Sequence, residues 1–209
     1  MEKGRGCHYR SVRFTILMTC LADFEIEKYV QDGIIGITPF EPSLLNPHTY
    51  DITLGGHFIV YQPGDPDVAL DPLDESTYTK AFTSYEVNAE YGKAVTFPAN
   101  AFIIGTTRER IRLPDNIFAH IEGKSSNARL AIKNHQTGGF IDAGFEGEIT
   151  LEMDILLPVA LKLTVGMPIG QLRFHVASAA RVPYNKKPSS KYMYQCGATT
   201  SRYFKNTIR

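Results

Sequence analysis

At 209 residues, 43% hydrophobic and 21% charged, the chain has the size and composition of a folded globular protein with one sizeable core. Lys plus Arg and Asp plus Glu stand at 22 each, so no net basic field exists to attract nucleic acid or an acidic membrane surface. Three scattered cysteines, Cys7, Cys20 and Cys196, form no CxxC pair; this argues against a disulfide framework or a Cys-built zinc site and fits a reducing, cytoplasmic setting.

In chain order, Lys3, Arg5, Arg10 and Arg13 precede FTILMTCLA and imitate a secretion signal. The apolar run is short and meets DFEIEK at once, which argues against export and against a membrane span. Met18 offers an alternative start, which divides the chain into an extension (1–17), a body (18–182) and a tail (183–209). LADFEIEKYVQDG is predicted as a short amphipathic helix, with Leu21, Phe24 and the Tyr29/Val30 pair on its apolar side and Gly33 as its stop. TYDITLGGHFIVYQP reads as strand, bend at Gly55-Gly56, strand. Residues 63 to 93 read as a long irregular connection. AVTFPANAFIIGTT, RIRLPDNIFAHIEG, GFIDAGFEGEITLEMDI and ALKLTVGMPIGQLRFHVA follow as short strands between Gly, Pro and Asn turns. So many closely spaced strands predict an all-β barrel or sandwich with one short N-terminal helix, without internal repeats. From about Pro183 the chain turns polar and tail-like.

Residues 148 to 155 show the clearest pattern. Ile149, Leu151, Met153 and Ile155 alternate with Glu148, Thr150, Glu152 and Asp154, which predicts a strand with one apolar face and one face carrying three carboxylates. Two readings of that acidic face stay open, a solvated surface and a site. GKSSNAR, residues 123 to 129, likewise reads either as a plain turn or as an anion-binding turn whose N–H groups converge with Lys124, Ser125 and Ser126. It is not a Walker A loop, because the GxxxxGK[ST] spacing is missing. HQTGGFIDAGFEGE places glycines where backbone must approach something closely or where a positive φ is needed. His135 reads as structural, with no metal ligands at the right spacing.

Taken together, EGKSSNARL, HQTGGFIDAGFEGEITLE, GMPIGQLRF and PYNKKPSSKYMYQCG, with PF at 39–40 and TYDITLG at 49–55, resemble the dCTP deaminase family of the trimeric dUTPase superfamily over about residues 18 to 204. The resemblance implies a distorted jelly-roll-like β-barrel and a homotrimer with sites shared between subunits. It implies catalysis by Glu152, supported by Arg129 and Ser125, and phosphate binding by Lys124, Ser125 and Ser126. It implies that Thr137 and Gly138 orient a water and that Tyr184, Lys191 and Gln195 close the tail over the triphosphate.

The implied reaction is hydrolysis of dCTP to dUTP and ammonia. One carboxylate would take a proton from water and pass protons to N3 and the leaving nitrogen. The HxE…PCxxC signature of zinc deaminases is absent, so the expected chemistry uses no zinc. Mg²⁺ is expected on the triphosphate, and an arginine near Glu152 would favour its charged form. TGGFIDAG, with Gly139 and Phe140, is similar to the bifunctional branch that carries dCTP on to dUMP. There Asp142 would help activate water against the α-phosphate. Asn127 stands where the family often has an apolar residue, and Gly138 where alanine is common. A dUTPase acting on dUTP alone and a nucleotide-binding regulator are the competing expectations, with dUTP and dTTP as further ligands.

Overall fold

Stretches of alternating apolar and polar residues become strands in the computed structural model, which describes residues 19 to 206. The expected extension, Cys7 and Met18 lie outside those residues. Thr19–Cys20 (β1) leads into Asp23–Gln31 (α1), whose entry is capped by the Glu25 carboxylate accepting the Ala22 N–H at 2.9 Å. Gly33, at φ +69°, ends it as expected. The buried side of α1 is set by Ile26, while Phe24 is 68% exposed. Two residues along a helix turn the side chain about 200°, so Phe24 and Ile26 cannot share a face. Of the expected apolar side, Leu21 is buried and Tyr29 and Val30 pack against the core, so Phe24 alone was misplaced.

The strands continue as Gly36–Thr38 (β2), Leu45–Asn46 (β3), Thr49–Thr53 (β4) and His57–Pro63 (β5). The expected irregular connection after β5 contains a one-turn helix, Tyr78–Ala81 (α2), and a seven-residue strand, Phe82–Asn88 (β6). The strand β6 pairs with β5 along its length but lies at the sheet edge with most of its residues exposed. Its sequence therefore lacks the apolar alternation that marks a half-buried strand. Ala94–Phe97 (β7), Phe102–Arg112 (β8), Ile117–Gly123 (β9), Ser125–Ala128 (α3), Ile132–Lys133 (β10), Phe140–Ile141 (β11), Glu146–Ile155 (β12), Leu161–Thr164 (β13) and Pro168–Val176 (β14) complete the body.

All described pairings are antiparallel. One sheet has the order β11-β9-β14-β4-β3, with β1 alongside β14; the second has β10-β12-β8-β5-β6, with β2 alongside β8. Tyr50, Ile52, Leu172 and Phe174 of the first sheet and Phe58, Val60, Ile103 and Leu151 of the second are fully buried in one core. This is the distorted jelly-roll-like β architecture that the sequence led us to expect.

The strand β12 alternates between buried and half-buried residues over its whole length, because a pleated strand sends successive side chains to opposite faces. Its register with β8 slips between Glu148 and Thr150. The extra residues belong to β8, so β12 stays regular and Glu148, Thr150 and Glu152 keep one face. The slip is stitched by the Thr107 hydroxyl, which accepts the Ile149 N–H at 2.9 Å. Glu109 points inward there, fully buried, and accepts the Thr53 N–H at 2.8 Å and hydroxyl at 2.6 Å. Burial holds its carboxyl above the ordinary glutamate range despite those two bonds.

Candidate active site

The acidic face of β12 is not a plain solvated surface. Glu148 is an anchor: its carboxylate accepts the Gly197 N–H at 2.6 Å and the Thr106 hydroxyl at 3.3 Å. Asp154 sits 3.6 Å from the Lys133 ammonium and also accepts the Gln136 amide. Glu152 differs from both, because its Oε2 is buried and has no hydrogen-bond partner among the described residues. A buried carboxylate oxygen without a donor is costly, and native folds keep one mainly where a function or an added partner explains it.

Glu152 faces a cavity of about 460 Å³. Gly138 lies across from it, and a side-chain carbon at that position would sit 3.6 Å from Glu152 Oε1. A glycine there leaves the space over the carboxylate open. Strand β11 and its crossover to β12 supply Phe140, Asp142 and Phe145, and β5 and β8 supply Tyr61, Phe102 and Ile104. Tyr61 and Phe102 stack with ring centroids 5.4 Å apart. Flat apolar walls around a few polar groups suit a planar ring carrying polar edges.

The tail forms the remaining wall. Expected to be loosely polar, it is folded back against the body from Pro183 to Asn206. Pro183 lies against Gly144, whose φ of +85° makes the turn between β11 and β12 and whose missing side chain leaves room for the proline. The Tyr184 N–H then donates to Ala143 O at 2.8 Å. Further on, the tail takes the free edge of β12: Tyr194 N–H bonds Glu146 O at 2.7 Å and Glu148 N–H bonds Gln195 O at 3.0 Å. The Gln195 amide donates to Glu148 O at 2.7 Å and accepts the Thr199 hydroxyl at 3.0 Å. His57 Nδ1 accepts the Ala198 N–H at 2.9 Å. Tyr184, Tyr192, Gln195, Thr199 and Thr200 thereby reach the cavity.

Of the expected site residues, Glu152, Gly138, Asp142, Tyr184 and Gln195 are brought together around this cavity. Gln195 arrives with its side chain already engaged in holding the tail. Among the described residues, Lys124, Ser125, Ser126, Arg129, Thr137 and Lys191 do not line it. The Lys191 ammonium is bonded to Asn206 at 2.5 Å and lies over the Tyr203 ring. The Lys124 ammonium is 2.5 Å from the Asp51 carboxylate, which also accepts the Asn46 amide at 2.8 Å. The expected turn at GKSSNAR is a single helical turn, α3, with Ser125, Ser126 and Arg129 exposed. Tyr61, Phe102, Tyr192 and Thr199 were not anticipated. Tyr61 and Phe102 lie in apolar strand segments with nothing local to separate a cavity wall from a core position.

A family model described as dCTP deaminase-like matches residues 20 to 177. The chain belongs to that family. Among relatives of this dCTP deaminase-like chain, a protein of Methanospirillum hungatei JF-1 named dCTP deaminase, dUMP-forming, is 47% identical over 189 residues, covering 90% of this chain and 98% of its own. A protein of the same name from Methanoculleus marisnigri is 44% identical over 90% of this chain and 97% of its own. The solved 2'-deoxycytidine 5'-triphosphate deaminase of Agrobacterium tumefaciens shares the fold at a TM-score of 0.58 and 20% identity, over 77% of this chain. The chain spans about half the length of that solved protein, 48%. No helix among the described residues is long and apolar enough to cross a membrane.

Proposed function

We propose that the protein is a cytoplasmic hydrolase that converts dCTP to dUMP, ammonia and diphosphate, with deamination preceding or accompanying cleavage at the α-phosphate. The observation that carries the deamination is the unpartnered, buried Glu152 oxygen over open space at Gly138, inside an aromatic-walled cavity. A carboxylate so placed can take a proton from water as the oxygen attacks C4 of cytosine. It can then return protons to N3 and to the departing amino group, so that ammonia leaves and uracil remains. The second step is supported by the dUMP-forming names of the relatives and by Asp142, exposed at the cavity rim where a phosphate-directed water would enter.

Mg²⁺ would come with the triphosphate. The hard oxygens of Asp142 suit it, and its role is to neutralise phosphate charge. Ser125, Ser126, Arg129 and Lys124 supply the phosphate contacts and the cation for Glu152 from a neighbouring copy in a homotrimer, since they do not reach the cavity of their own chain. Pyrimidine triphosphates such as dUTP and dTTP would compete for the same place.

Incubation with dCTP and Mg²⁺, followed by separation of nucleotides and assay of ammonia, tests the proposal. The expected products are dUMP and ammonia without accumulation of dUTP. Accumulating dUTP would leave deamination alone. Hydrolysis of added dUTP without dCTP turnover would make the protein a dUTPase, and binding without products a regulator.

A further inference from the structure

The α3 turn is a puzzle of stability. It spans four residues, Ser125–Ala128, far fewer than a helix needs to stand by its own hydrogen bonds. Ser125, Ser126, Ala128 and Arg129 are exposed, whereas Asn127 is 8% exposed. Its side-chain amide donates to Pro168 O at 3.1 Å and to Ile169 O at 3.2 Å. A second buried amide, Asn134, donates to the same Ile169 O at 3.3 Å and to Glu122 O at 3.2 Å.

The carbonyls of Pro168 and Ile169 have a common origin. In the pairing of β14 with β4, Pro168 stands opposite Thr53 and Gly170 opposite Ile52. Ile169 is therefore an extra residue, a bulge, and its carbonyl leaves the ladder. Carbonyls freed inside a protein need donors, and the two asparagines supply them. Gly170 has its own part, because a side chain there would run into the Asn134 amide. The GMPIG stretch thus builds a carbonyl platform on which both ends of the segment 124–134 are fastened.

We propose that Asn127 and Asn134 are positioning residues: clamped to the β14 bulge, they hold the Ser125–Arg129 turn in the shape that receives a triphosphate. The inference rests on the proposed role of that turn in phosphate binding. Neither asparagine presents its amide to the ligand; each acts by keeping the exposed hydroxyls, N–H groups and guanidinium in register. An apolar residue at 127 could pack, but it would leave the platform carbonyls without one of their donors.

The test uses inorganic triphosphate binding by calorimetry, KM and kcat for dCTP, and thermal melting, on the full chain. Asn127→Ala should weaken triphosphate binding and raise KM by about tenfold, equivalent to ~1.4 kcal/mol, with kcat falling as well because the same turn carries Arg129. Asn134→Ala should act in the same direction, and it carries the test alone if Asn127→Ala does not fold. Ile35→Ala, in the core beside α1, serves as a control for lost stability. It should lower the melting temperature without moving triphosphate affinity. Unchanged triphosphate affinity in a folded asparagine variant overturns the proposal, as does equal weakening in the Ile35 variant or a wild-type chain that binds no triphosphate. A wild-type chain that binds triphosphate in an Asn127-dependent way without turning over dCTP upholds it and removes only the reaction assigned above.

Discussion

Two regions of this molecule hold the polar groups that matter, and they are finished to different degrees. Around Glu152 the chain builds an enclosure by itself: strands, the crossover from β11 to β12 and the returning tail close on one cavity, and one buried oxygen is left without a donor. The α3 turn faces outward, with Ser125, Ser126 and Arg129 exposed, while its underside is fastened by Asn127 to the β14 bulge and by Lys124 to Asp51. The enclosure has an acceptor waiting for a donor, and the turn has donors waiting for an acceptor. Each region is firmly positioned and chemically incomplete. An acceptor in one region and donors in the other are what the proposed division of the site between copies of the chain would use.

The largest expected effect removes the base from the enclosure alone. Glu152→Gln keeps shape and hydrogen-bonding capacity, and ammonia release from dCTP should fall by roughly 10²-fold or more. Calorimetry should show dCTP affinity little changed, because the proposed phosphate contacts lie on the turn. A well-folded variant that deaminates at the wild-type rate would reduce the acidic face to a surface.

A second experiment asks whether enclosure and turn belong to different subunits. Arg129→Ala should be inactive by itself for lack of its cation. After the two inactive variants are unfolded and refolded together in equal amounts, roughly a quarter of the sites should pair an intact enclosure with an intact turn, if partners mix at random in a closed ring. Activity recovered to about that fraction supports the division. No recovery in a mixture shown to have exchanged subunits would place both halves on one chain.

The smallest effect concerns the frame beneath both regions. Glu109 is buried with its pKa raised, so its carboxylate costs stability once ionised. A raised folded-state pKa means that this stability is present below the unfolded value and is lost as pH rises through the folded one. Glu109→Gln removes the charge and retains a carbonyl oxygen for the Thr53 N–H. Its melting temperature should exceed the wild type's by a few degrees near pH 8, on the scale of ~1 kcal/mol, and the gap should shrink towards pH 4. A gap that widens on acidification would contradict the burial argument.

Some of this was legible along the chain because it is local. A pleated strand has a period of two, so the spacing from Glu148 to Ile155 already fixed which residues face away from the core. Gly33 ended its helix for the equally local reason that only glycine takes a left-handed backbone freely. The order of the motifs identified the family, and the resemblance singled out Glu152, Gly138 and Asp142, which the structure brings around one cavity. The strand β6 escaped notice because an exposed edge has no apolar alternation to show. Phe24 was misplaced because it stands five and six residues before Tyr29 and Val30, whereas Ile26 stands three and four before them, the spacing that shares a helix face.

Amino-acid order by itself therefore determined the strand-rich class, the faces of β12 and the family. Only the tertiary structure decided which polar groups were free. Lys124 is paired with a residue 73 positions earlier, and the tail is held by a histidine 141 positions from Ala198. Asn127 is buried because a bulge some forty residues later turns two carbonyls towards it. Such pairings come from loop closure and from the demand that buried polar atoms find partners, and no pattern within a few residues of either partner records them.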